Sequence, residues 1–142
     1  MKYLALILAA LIPLSVFASP ETKPFAEKRV VLQITDNSPE KQTLVLNVAQ
    51  NLMNHYGPDK VDVEIVAFGP GLNLLLTKNE NLKRIDGLAQ TGVSFSACSN
   101  TIAKMTKKLG KEPAINPSAQ RVPAGVVRII ELVDLDYQLI RP

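Results

Sequence analysis

One cysteine, one histidine and a near balance of charge are the scarcities that narrow this sequence first. A single thiol, Cys98, closes no disulfide within the chain. One cysteine and one histidine, with no C-x-x-C spacing, fall short of a conventional zinc site, and no metal is expected. A cysteine–histidine dyad would need His55 to reach across the domain, whereas its position suits a surface residue at a helix C-terminus. The formal net charge of +3 is too small an excess to point to nucleic acid. Its clearest local source is Lys104, Lys107, Lys108 and Lys111, which read as the solvated face of a helix opposite Ile102, Met105 and Leu109. The run Gly92-Val-Ser-Phe-Ser96 lacks the glycine that must follow a serine in a nucleophile elbow. Neither a Walker A motif nor a dinucleotide fingerprint is present, so no cofactor is expected. Gly69-Pro70-Gly71 alone is weak evidence for phosphate binding.

What is present begins with a leader. Lys2 supplies a short positive region, Tyr3 to Ile12 is uncharged and apolar, and Pro13 breaks the run. Val16-Phe17-Ala18 carries the small residues accepted before a signal-peptidase cut. The apolar run is shorter than the roughly 20 residues that span a bilayer. The expectation is therefore a signal peptide over 1–18, cleavage after Ala18, export to the periplasm and no membrane attachment afterwards. Residues 19–142 are expected to form one domain, long enough for a sizeable core. A lone thiol retained in an oxidising compartment implies burial, protection or chemistry.

Along that domain, strands alternate with amphipathic helices. Arg29 to Thr35 reads as a buried strand. Asp36 orders its own turn, Ser38 caps the next helix, and Pro39 falls in the first helical turn. That helix carries Val45, Val48, Ala49, Leu52 and Tyr56 and ends at Gly57-Pro58. Val61 to Phe68 is a second strand, whose early alternation gives way to continuous apolar residues. Gly69-Pro70-Gly71 turns into a short helix bearing Leu72, Leu75 and Leu76, and a further helix runs from Asn81 to Gln90. Val93 to Ala97 is a third strand, followed by a helix over Asn100 to Leu109 that Gly110 stops. Ala114 to Val122 reads as loop with room for a short strand ending at Arg121-Val122. Ala124-Gly125 opens a helix carrying Val126, Val127, Ile130 and Val133, and Tyr137 to Ile140 is a last strand. The order implies right-handed crossovers and a mainly parallel sheet of about five strands, covered on both faces. This is the pattern of a three-layer, flavodoxin-like α/β sandwich.

In such sheets ligands bind beyond the carboxyl ends of the strands. Four loops end there: Asp36-Asn37-Ser38, Gly69-Pro70-Gly71, Cys98-Ser99-Asn100 and Pro123-Ala124-Gly125. Cys98 stands where a strand stops at the start of a helix, so unpaired N–H groups and the helix dipole favour its thiolate. Alternation puts Ser94, Ser96 and Cys98 on one face and Val93, Phe95 and Ala97 on the other. Position alone leaves both a reactive and a structural thiol open.

Ile34-Thr-Asp-Asn-Ser-Pro-Glu-Lys41, Val63-Glu-Ile-Val-Ala-Phe-Gly-Pro-Gly-Leu72 and Val93-Ser-Phe-Ser-Ala-Cys-Ser-Asn-Thr101 together resemble the DsrE/DsrF-like family. Gly125-Val-Val-Arg-Ile-Ile-Glu-Leu132 and Tyr137-Gln-Leu-Ile-Arg-Pro142 extend the likeness to the C-terminus, and the cysteine segment is its most specific part. The resemblance implies a flavodoxin-like sandwich that forms trimers or hexamers. It also implies sulfur relay, in which a cysteine matching Cys98 carries sulfur as a persulfide to a partner thiol. On this reading the protein is a sulfur carrier or sulfurtransferase. Cys98 is the reacting residue, Ser99 and Asn100 supply backbone N–H groups, and Asn37, Gly69 and Gly125 shape the pocket. With no second cysteine in the chain, a donor or acceptor thiol belongs to another molecule. The alternatives are a non-catalytic, oligomeric binding or assembly module of the same fold, and a redox sensor pairing through Cys98.

Overall fold

A computed structural model describes residues 23–142; the leader assigned to 1–18 lies outside the described residues. The elements are β1 (Lys28–Ile34), α1 (Pro39–Tyr56), β2 (Val61–Ala67), a 3-10 segment (Gly69–Leu75), α2 (Leu82–Gln90), β3 (Ser94–Cys98), α3 (Ser99–Leu109), β4 (Ala119–Val122), α4 (Gly125–Asp134) and β5 (Gln138–Ile140). The strands form one sheet in the order β4-β3-β2-β1-β5. Every neighbouring pair is parallel. The architecture is thus the three-layer, flavodoxin-like sandwich that the alternation of elements implies. No helix of the described residues is long and apolar enough to cross a membrane.

The strand order dictates how the helices divide. Steps from β1 to β2, β3 and β4 all run in one direction, so right-handed crossovers put their helices on one face. Only the return from β4 to β5 puts a helix, α4, on the other. The larger core accordingly joins Leu46 and Ala49 of α1, Ile85 and Leu88 of α2 and Ile102 of α3 to Leu32, Ile65 and Phe95 of the sheet. The smaller one joins Ile129 and Leu132 of α4 to Val31, Val66 and Tyr137. Leu32, Leu46, Ile65 and Phe95 are fully buried, each contributing about 1.5–3 kcal/mol of transfer free energy.

Local chemistry sets the element ends. The Ser38 N–H donates to Asp36 Oδ1 at 2.8 Å, and Ser38 Oγ accepts from the Lys41 N–H at 3.2 Å, which caps α1. Gly71 crosses the end of β1 so closely that a Cβ would lie 2.3 Å from the Ile34 carbonyl oxygen. No side chain fits there.

Two features were not legible in the sequence. Asp62 and Glu64, the polar members of the β2 alternation, are both buried. They face α4 and are satisfied there. Glu64 accepts Arg128 Nε and Nη2 at 2.7 Å each and the Ser96 hydroxyl at 2.5 Å. Asp62 accepts the Tyr137 hydroxyl at 2.6 Å. The second follows from the first. Val126, Val127, Ile130 and Val133 do not form the packed face of α4 but its exposed face; Val126 and Ile130 are each 56% accessible. Bidentate pairing of Arg128 with Glu64 sets the rotation of the helix, and Gly125, Arg128, Ile129 and Leu132 turn to the sheet.

Candidate functional site

The chain leaves β3 toward one face of the sheet and β4 toward the other, so the gap between their carboxyl ends is the topological switch point. Ligand crevices of open α/β sheets occur at that kind of place. Cys98 is the last residue of β3 and pairs in register with Val122, the last of β4. It is also the N-cap of α3, and its side chain closes no strict capping hydrogen bond. The N-cap of α4, Ala124, has no side chain able to cap. Two helix starts without side-chain caps therefore flank one sulfur, and of the α3 amides that of Asn100 also donates to the Pro123 carbonyl at 3.3 Å.

Burial of Cys98 by itself pushes the thiol up. The Thr101 hydroxyl and the backbone N–H groups of Gly125, Thr101 and Asn100 more than offset it, holding the thiol below its ordinary value. Thr101 is placed for this because it is the third residue of α3, one turn beyond the cap. Its Oγ1 accepts the Gly69 N–H at 2.9 Å, which leaves its proton to be directed at the sulfur. Gly125 must lack a side chain, since a Cβ there would lie 2.7 Å from Phe68 Cδ1. That close approach brings the first N–H of α4 to Cys98.

The residues named from the sequence divide as follows. Cys98, Asn100 and Gly125 come together directly, and Gly69 joins them through Thr101. Ser99 opens α3 but turns to a shallow surface groove that it shares with Ile102, Thr106 and Arg121. Asn37 follows β1, which β2 separates from β3. It accepts from Gln42 Nε2 at 3.2 Å, and Gln42 Oε1 in turn accepts from Asn79, an amide cluster separate from the sulfur's donors. Thr101 was missed in sequence. Its signal was the three-residue spacing from Cys98, the interval from N-cap to N3. His55 stacks edge-on against Tyr56 at the end of α1. Cys98 itself is 5% accessible.

Fold and site together define a parallel five-stranded α/β protein with one thiol at its switch point. In that form the chain is similar to the solved structure of MTH1491 from Methanobacterium thermoautotrophicum, a protein of unknown function. The two share 28% identity with a TM-score of 0.72, over 81% of this chain and 99% of that one. No protein-family profile matches the chain, and no curated protein matches it.

Proposed function

We propose that this chain is a periplasmic sulfur-handling protein of the DsrE/DsrF-like kind, exported with loss of residues 1–18, that carries sulfane sulfur as a persulfide on Cys98. The observation that carries the reading is the pair of uncapped helix starts aimed at one thiol, with the Thr101 hydroxyl beside them. These groups favour thiolate, the form that both accepts and donates sulfur. In the loading step the Cys98 thiolate attacks the outer sulfur of a donor persulfide. The new S–S bond forms on Cys98, the donor's own S–S bond breaks, and the donor leaves as a thiolate. One proton stays with the transferred sulfur, so charge and electrons balance without a cofactor. Delivery is the same exchange run toward an acceptor thiol on a partner.

Incubation with polysulfide should add about 32 Da per sulfur to the intact mass, reversed by reduction and absent in Cys98→Ser. No adduct on the folded protein with any of several donors would refute the reading.

A second reading, a non-catalytic homo-oligomeric module, is favoured by the 5% accessibility of Cys98 and by the apolar outer face of α4. It calls for the same experiment to yield no adduct, and for Cys98→Ala to behave as the parent protein. Assembly as a trimer or hexamer belongs to both readings, with α4 at the contact.

A further inference from the structure

A groove of about 500 Å³ runs between the 3-10 segment and α3, lined by Gly69, Pro70, Asn73, Thr101, Met105 and Leu109 with Lys78, Lys104 and Lys108 beside them. That volume lies in the range of small-molecule sites. The lining is apolar where Pro70, Met105 and Leu109 meet, and its charged groups are all cationic. Lys104 and Lys108 are four residues apart on α3, so their like charges oppose each other. Lys108 lies in the last turn of the helix, where the dipole favours a cation, but Lys104 does not. Among the described residues no carboxylate pairs with any of the three lysines. Lys104 and Lys108 lie on a solvated face, as the sequence implies, and the 3-10 segment beside that face leaves an open groove in which half-buried Met105 and exposed Leu109 lie next to the ammonium groups.

We propose that this groove binds a small organic anion with an apolar body, its carboxylate held by Lys104 and Lys108 and its hydrocarbon part against Met105 and Leu109. Charge complementarity selects the anion, and the apolar floor selects an amphiphile over an inorganic ion. The proposal does not rest on the chemistry at Cys98, although Gly69 and Thr101 line the groove and also lie beside that sulfur.

Octanoate is the probe, followed by amide chemical shifts of the folded protein. Saturable shifts at Gly69, Asn73, Thr101, Met105 and Leu109, with a Kd of about 1 mM or tighter, are expected. Combined K104E and K108E substitutions should weaken binding by about tenfold or more, and octyltrimethylammonium should produce no saturable shift in the groove. The proposal is overturned by no saturation with octanoate, by shifts that map to α4 instead, or by equal binding of the cationic analogue. A double variant within about twofold of the parent would overturn it as well. Polyglutamate producing the same shifts at lower concentration would give the groove to an acidic polypeptide and refute the small-molecule assignment.

Discussion

Cys98 lies between two opposed influences, burial that favours the neutral thiol and donors that favour the anion, and the donors prevail. Alkylation by iodoacetamide as a function of pH should therefore show a lower midpoint for the folded protein than for the same thiol in the urea-unfolded chain. Thr101→Val should move it upward and Thr101→Ser should leave it near the parent. A parent midpoint at or above that of the unfolded chain would remove the electrostatic basis of the sulfur reading. The sign for stability follows. A thiol lowered in the folded state contributes stability that is complete above its unfolded pKa and is lost as pH falls through the folded pKa. Cys98→Ala should flatten that segment of the pH–stability curve. Tyr137 has the opposite sense: burial, then its hydrogen bond to Asp62, holds the phenol above its usual range. Its contribution is present below the unfolded phenol pKa and is lost in strong alkali.

At the level of elements, the buried pair between β2 and α4 bears most on the site, because it fixes the rotation of the helix whose first N–H faces the sulfur. Glu64→Gln or Arg128→Met alone should destabilise the fold by about 3–5 kcal/mol in urea unfolding, since each leaves a buried charge without its partner. Replacing both together by leucine should recover much of that loss. A single-variant cost within about 1 kcal/mol would mean that water reaches the pair. This pair also marks where sequence reasoning stopped. Hydrophobic periodicity located β1, β2, β3, β5 and the main helices to within one or two residues, because their apolar spacing and glycine or proline ends are local signals; for β4, Ala-Gln-Arg-Val in a stretch that otherwise reads as loop, only the end at Val122 was legible. The orientation of α4 is not local. Val126, Val127, Ile130 and Val133 have helical spacing, but the opposite face carries Arg128, and only its partner on β2 shows that this face turns inward. Cys98, Asn100 and Gly125 were legible from strand and helix ends. Thr101 needed the cap to be assigned to Cys98, and the separation of Asn37 needed the strand order.

Over the whole molecule, the two faces of the sheet are covered unequally. Among the described residues, one carries α1, α2, α3 and the 3-10 segment, and the other has α4 alone among the helices. The outer side of α4 presents Val126, Val127, Ile130 and Val133, and Leu139 and Ile140 of the edge strand β5 are exposed as well. Apolar exposure of this kind marks interaction surfaces, and an open strand edge is one too. In the proposed assembly this face is the contact between copies. Ile130→Glu should reduce the sedimentation mass to that of a single chain while the far-ultraviolet circular dichroism is retained. A parent protein that already sediments as one chain would exclude the assembly.

The return of α4 across the sheet ties two distant borders together. Its first residue stands beside the sulfur at the β4 side, and its far end leads into β5, which is held to β1 by a register of three residues; beyond β5 the Lys41 ammonium of α1 donates to the Pro142 carbonyl oxygen. A cut between Asp134 and Tyr137 would remove the Tyr137–Asp62 bond, the β5 register and the Lys41 contact, leaving the helix held by Arg128 on Glu64 and by Ile129 and Leu132 against the sheet. The segment after α4 thus helps to seat, from the opposite border, the helix whose opening amide lies beside the sulfur.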